Sequence, residues 1–154
     1  MSLDLKKQLI TQLIESSRFL RNYVDHRAKS RGTTRAQWIV LFRLREQEGL
    51  SQVDLADVLE LQPISLVRLL DRLVEQGLVE RRSDPRDRRA NRLFLTIAGR
   101  QLADDLDSLR DAIATDVLQG VPTATVETSL KALRDVKERI KSLAEPAAGN
   151  VAAK

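Results

Sequence analysis

Apolar residues recur at steps of three and four through most of the chain, and the breaks in that spacing predict six helices and two short strands. Leu9, Leu13, Leu20 and Val24 keep helical spacing over 4–29, with Phe19 and Tyr23 beside the stripe. Arg31-Gly32-Thr33-Thr34 breaks it. Thr33 or Thr34 can cap a second helix through about Glu46, because a threonine hydroxyl accepts a first-turn N–H that has no partner. Trp38, Leu41, Phe42 and Leu44 supply the buried side of that helix. Gly49-Leu50-Ser51 is the next break, and Ser51 followed by Asp54 resembles a capping box opening a short helix to about Leu59. After Glu60-Leu61-Gln62, Pro63 suits the first position of a fourth helix, and Gly77 suits its end.

The spacing then changes. Leu78-Val79-Glu80-Arg81-Arg82 predicts a strand, Asp84-Pro85-Arg86-Asp87 a turn, and Arg92-Leu93-Phe94-Leu95-Thr96-Ile97 the returning strand. Two helices joined by a three-residue turn and followed by a hairpin follow the winged helix-turn-helix order. Leu102, Leu106, Leu109, Ile113 and Val117 predict a long helix from Thr96 to about Leu118, which Gly120-Val121-Pro122-Thr123 stops. Val126, Leu130, Leu133, Val136, Ile140 and Leu143 predict a last helix over 123–144.

The fold class expected is mainly α with a small β-hairpin. A winged helix-turn-helix lobe over 33–95 is flanked by helical regions over 1–30 and 96–145, and the patternless tail, 146–154, is expected to be mobile. The leucine stripes of the flanking helices exceed what so short a lobe can cover, which predicts a homodimer built from both ends of the chain.

Composition narrows the chemistry. The 154 residues include no cysteine, which removes disulfides, thiolate metal sites and thiol redox sensing, and a single histidine, His26. No metal and no cofactor are expected. No apolar run approaches the ~18 residues of a membrane span, and the polar N-terminus lacks the order of a secretory signal, so a cytoplasmic address is the default. An enzyme needs a nucleophile, an acid–base pair or a phosphate loop. The glycines are scattered, Asp104-Asp105 has no mechanistic partner, and no serine–histidine–aspartate set forms around His26, so the chain is not read as an enzyme.

The charge has an address. Arg81–Arg92 holds six arginines against two aspartates, and that window alone equals the net charge of +4. A local excess on a neutral body points to an anionic partner such as nucleic acid; a solvated charged loop is the alternative. On a helical wheel of ~100° per residue, Leu66, Val67, Leu70, Leu73 and Val74 share one side of the fourth helix, with Ser65, Arg68 and Arg72 opposite. Serine near a helix start and arginine one turn on are residue types that read base edges and phosphates, although any amphipathic helix has a solvated face. In the hairpin, Arg86, Arg88 and Arg89 are candidates for the tip, where arginine can enter the minor groove. Asp84 and Asp87 can each hold a neighbouring guanidinium in a fixed fork, or can simply neutralise the loop.

The run Gln62-Pro63-Ile64-Ser65-Leu66-Val67-Arg68-Leu69-Leu70-Asp71-Arg72-Leu73, then Gly77-Leu78-Val79-Glu80-Arg81, Asp84-Pro85-Arg86-Asp87-Arg88-Arg89-Ala90 and Leu93-Phe94-Leu95-Thr96, resembles the MarR family of bacterial transcription regulators. Asp25-His26-Arg27 with Thr34 and Trp38 is similar to its SlyA branch, and the resemblance covers roughly 5–144. It implies a homodimer that binds a pseudo-palindromic double-stranded DNA operator as a transcriptional regulator, often autoregulated and often relieved by small aromatic or phenolic acids; a repressor is expected here, with an activator as the alternative. By motif, Ser65 and Arg68 become major-groove contacts with Pro63 setting the helix entry; Arg88 and Arg89 become wing contacts, with Asp87 their organiser. Peroxide-sensing members use cysteine, absent here, and Met1 is the only methionine; zinc-sensing members need several ligands beside His26. In the SlyA branch an aromatic carboxylate pocket adjoins the dimerisation helices, and Arg18, His26, Thr34 and Trp38 are the residues that could line it. Arg18 would pair with the carboxylate and Trp38 would be the flat wall; the alternative is that Trp38 is core and His26 surface. A winged-helix module that binds protein in place of DNA stays open beside this reading.

Overall fold

Side chains at the predicted helix starts accept the amide protons that a first turn leaves over. In the computed structural model, which describes residues 2–144 except for the side chain of Arg88, Ser2 opens α1 (Leu3–Lys29) by accepting from the Leu5 amide. The tail expected over 146–154 lies outside the described residues. Thr34, not Thr33, caps α2 (Arg35–Glu46): its hydroxyl accepts from Gln37 N at 3.2 Å, and Gln37 Oε1 accepts from Thr34 N at 3.3 Å. This is the reciprocal box that Ser51-Asp54 was expected to form. Ser51 makes only the forward half, accepting from Asp54 N at 3.1 Å at the start of α3 (Gln52–Leu59), and it sits in a β-bridge with Arg92.

Pro63 takes the first position of α4 (Pro63–Glu75), and the turn before it is closed by Glu60 in the left-handed conformation, φ 54°. Gly77, φ 71°, ends α4 and turns the chain into β1 (Val79–Asp84). β2 (Asp87–Leu95) returns antiparallel, with Val79 opposite Leu95 and Ser83 opposite Asn91. Both strands reach further toward the tip than the sequence suggests, because their outer halves are polar and carry no hydrophobic alternation to announce them. The ladder then jumps: Asp84 pairs with Asp87, so Arg88, Arg89 and Ala90 are extra residues on β2 and form a bulge.

Thr96 is the cap of α5 (Ile97–Val117) and not its first residue; its hydroxyl accepts from Gly99 N at 3.0 Å and donates to Gly77 O at 2.6 Å. Gly99 lets the first turn of α5 press on the entry to β1, since a Cβ there would lie 1.9 Å from Leu78 O.

The chain divides into two compact units, 1–113 and 114–154. In the first, Leu41 and Leu44 of α2, Leu55 of α3, Leu66, Leu70 and Leu73 of α4, Val79 and Leu93 of the hairpin, and Leu106 of α5 form one fully buried core. Arg45 ties α2 to α5 by ion pairs to Asp104 at 3.1 Å and Asp107 at 2.9 Å. α1 buries Ala28 and leaves Leu9, Ile10, Ile14, Phe19 and Leu20 exposed. The second unit holds the end of α5, a turn at Gly120 (φ 80°) and α6 (Thr123–Ala144), which buries no residue and exposes Leu130, Leu133, Ile140 and Leu143.

Candidate nucleic-acid interface

α4 turns Leu66, Leu70 and Leu73 into the core, and this orients the opposite side outward. Ser65, Arg68 and Arg72 are exposed there and, with Ala36, Leu61 and Leu69, line a groove of about 310 Å³. Val67 departs from the wheel: it is 39% exposed, because it faces a shallow groove between α3 and α4 that Val53 and Pro63 also line.

The helix pair is braced to the hairpin by Arg81. Its guanidinium donates to Gln52 Oε1 of α3 at 2.9 Å and to Asp71 Oδ1 of α4 at 2.6 Å. One arginine therefore fixes the hairpin against both helices, a role for which the sequence holds no local signal. Arg82 lies over the Phe94 ring, 4.1 Å from its centroid, and pairs with Glu80.

The two aspartates of the hairpin do different work from each other. Asp84 is 8% exposed and holds a guanidinium as expected, but that of Arg92, with Nε 3.0 Å from Oδ2; Arg92 in turn donates to Gly49 O at 2.9 Å. The other Asp84 oxygen accepts from Arg86 N at 2.9 Å, closing the Pro85-Arg86 turn. The hydrogen bond from the Arg86 amide, helped by the bond and charge of Arg92 and opposed by burial, holds the Asp84 carboxyl below its ordinary value of 3.8. Asp87 holds a backbone group: its carboxylate accepts from Arg89 N at 3.0 Å and shapes the bulge. Arg86 stands exposed in the turn, whereas Arg88 and Arg89 are in the bulge, short of the tip. The Arg88 side chain lies outside the described residues.

The four residues expected to line a ligand pocket are not brought together. Trp38 is 7% exposed and stacks obliquely on Phe42, 5.7 Å between centroids. Both line a groove of about 400 Å³ with Arg35, Arg43 and Arg110, three cations that sequence spacing could not bring together. The buried Trp38 Nε1–H has no hydrogen-bond partner among the described residues. Thr34 lines a neighbouring groove with Asp25 and Lys29, and Arg18 and His26 are exposed on α1, outside the lining of both. Among the described residues, no group of three or more His, Asp or Glu could hold a metal, and no helix is long and apolar enough to cross a membrane.

Solved structures of known proteins share this fold. A regulator described as MarR family from Rhodococcus sp. RHA1 is 29% identical, with 88% of this chain and 96% of that chain covered and a TM-score of 0.75. A cysteine-to-serine mutant of MarR from E. coli, solved in complex with operator DNA, is 25% identical over 88% of this chain and 99% of that one, with a TM-score of 0.76. The transcriptional regulator SlyA, at 20% identity, shares the fold with a TM-score of 0.76 over 87% of this chain and 94% of its own. Residues 33–90, which span the helix-turn-helix and most of the hairpin, match the model of the MarR family.

Proposed function

We propose that the chain is a MarR family transcriptional regulator that binds double-stranded DNA by sequence, as a homodimer on a pseudo-palindromic operator, and represses transcription there. The observation that carries this reading is the exposed row of Ser65, Arg68 and Arg72 on a helix braced by Arg81 to an arginine-rich hairpin. In such a geometry α4 enters the major groove, with Ser65 and Arg68 on base edges and Arg72 on phosphate, while Arg86, Arg88 and Arg89 follow the adjacent backbone or minor groove. The polar stripe speaks against a protein-binding winged helix, which would need a neutral or apolar face at these positions.

Dimerisation is supported by the apolar residues that α1 and α6 leave uncovered, each on its own helix. A second copy would bury them and set two α4 helices about 34–36 Å apart, one turn of B-DNA. Static light scattering at micromolar concentration tests this directly: a monomer there would overturn it.

The effector reading rests on the groove at Trp38. An aromatic ring against Trp38 and Phe42, with its carboxylate toward Arg35, Arg43 or Arg110, uses apolar wall and cation together. The test of the whole reading is binding to the DNA upstream of the chain's own gene, in the cytoplasmic salt range, with and without an aromatic carboxylic acid. Sequence-selective binding released by the acid supports it; equal affinity for random DNA overturns it.

A further inference from the structure

The arginine-rich front of the lobe carries an apolar residue that the fold does not use. Ile64 stands in the first turn of α4 and is 66% exposed; a β-branched side chain so placed adds neither burial nor helix propensity. Arg68 follows one turn on and so lies beside Ile64 on the helix surface, and Ser65, next in sequence, is exposed as well. Val53, in the first turn of α3, is 70% exposed and borders the groove that Pro63 and Val67 also line. The starts of the two helices therefore present apolar surface amid cations.

We propose that Ile64 reads the C5-methyl group of a thymine in the operator, at a base pair adjoining the one contacted by Arg68. The inference rests on the DNA-binding reading above. The C5-methyl is the apolar feature that a duplex displays in its major groove, and apolar side chains distinguish thymine by touching it. One isoleucine and the edge of a valine match a methyl or two. They are far too little surface for a protein interface, which buries several hundred Å² on each side. The flanking Arg68 and Arg72 also favour a polyanion over an ordinary protein surface.

The experiment uses the full chain and a duplex that it selects from a randomised library. That duplex is prepared twice, once with thymine and once with deoxyuracil at every thymine position, which deletes the methyl and keeps every hydrogen-bonding edge. The wild type should bind the deoxyuracil duplex about fourfold more weakly for each methyl contacted, the equivalent of one methyl group left unburied. Ile64→Ala should fold with an unchanged melting temperature, weaken on the thymine duplex, and lower the ratio between the two duplexes by about fourfold for each Ile64 contact removed. A wild type indifferent to the methyl, or an Ile64→Ala variant that keeps the full ratio, overturns the inference while leaving DNA binding intact. Failure of the library to enrich any sequence overturns the DNA-binding reading, and this inference with it.

Discussion

Asp84 and Arg92 meet at 3.0 Å across the hairpin, the carboxylate nearly buried and the guanidinium half-exposed. The pair does more than neutralise charge, because each member also holds backbone: Asp84 the amide of Arg86 in the turn, Arg92 the carbonyl of Gly49 before α3. The turn, the strand and the connector into the helix-turn-helix are thus joined through two side chains.

That linkage has a pH signature. The folded state holds the Asp84 carboxyl below its ordinary 3.8, so its contribution is fully present above that value and is lost as pH falls through the lower folded value. Amide signals of Arg86 and Arg92 followed by NMR from pH 6 to 2 should report loosening of the hairpin at the acid end. Asp84→Asn should loosen it at every pH and remove that acid dependence; an acid transition that persists in the variant would assign it to another carboxylate.

Gly99→Ala should be among the most damaging single-methyl changes in the protein. A Cβ 1.9 Å from Leu78 O cannot be absorbed by a rotamer change, because the obstacle is backbone. Either α5 shifts or β1 does, at a cost of about 3 kcal/mol, the upper part of the range for overpacking. Urea unfolding of the variant measures it, and a loss of less than about 1 kcal/mol would mean that the contact relaxes easily.

Glu60→Gly should act in the opposite direction. Glu60 adopts φ 54° at the end of α3, a conformation that strains side chains with a Cβ. Relieving it should stabilise the protein by about 1 kcal/mol in the same assay. Glu60→Val, β-branched, should destabilise it.

The arginines should separate by kind of contact. Arg68→Ala is expected to cost about 1–3 kcal/mol on the operator and little on random DNA. Arg89→Ala should reduce the slope of log K against log salt by about 0.9 per phosphate released, so about twice that in a dimer. Asp87→Ala removes a negative charge beside a polyanion and should nonetheless weaken binding, because the bulge around Arg89 loses the carboxylate that holds it. Operator titrations of the three variants at two salt concentrations check these signs; tighter binding by Asp87→Ala would reduce the wing to a diffuse basic patch.

The periodicity that announces the helices is local, and so are Thr34, Ser51, Pro63 and Gly77 at their ends; these were legible because each acts within a few residues of itself. The left-handed Glu60 was not, since no glycine or asparagine marks it. The bulge at Arg88–Ala90 was hidden because charged residues on a hairpin have no preferred face. The Ser65, Arg68 and Arg72 row follows from helical geometry alone. The brace of Arg81 on Gln52 and Asp71 spans 29 and 10 residues, and the gathering of Arg35, Arg43 and Arg110 spans two helices. Such distant pairings depend on how helices pack, which side-chain spacing does not encode.

Leu93 donates to Leu50 O at 2.9 Å and accepts from Gly49 N at 2.8 Å, while its strand pairs with β1 on the other edge. Near its root β2 is consequently an interior strand, closed on both sides, whereas toward Pro85 it has a single neighbour. Residues inserted between Asp84 and Asp87 would lengthen the ribbon and disturb the Arg86–Asp84 turn bond while leaving the pairing of Leu93 with Gly49 and Leu50 in place, whereas an insertion at Gly49–Ser51 would break that pairing. How far the hairpin reaches and how stably the lobe folds are separable traits.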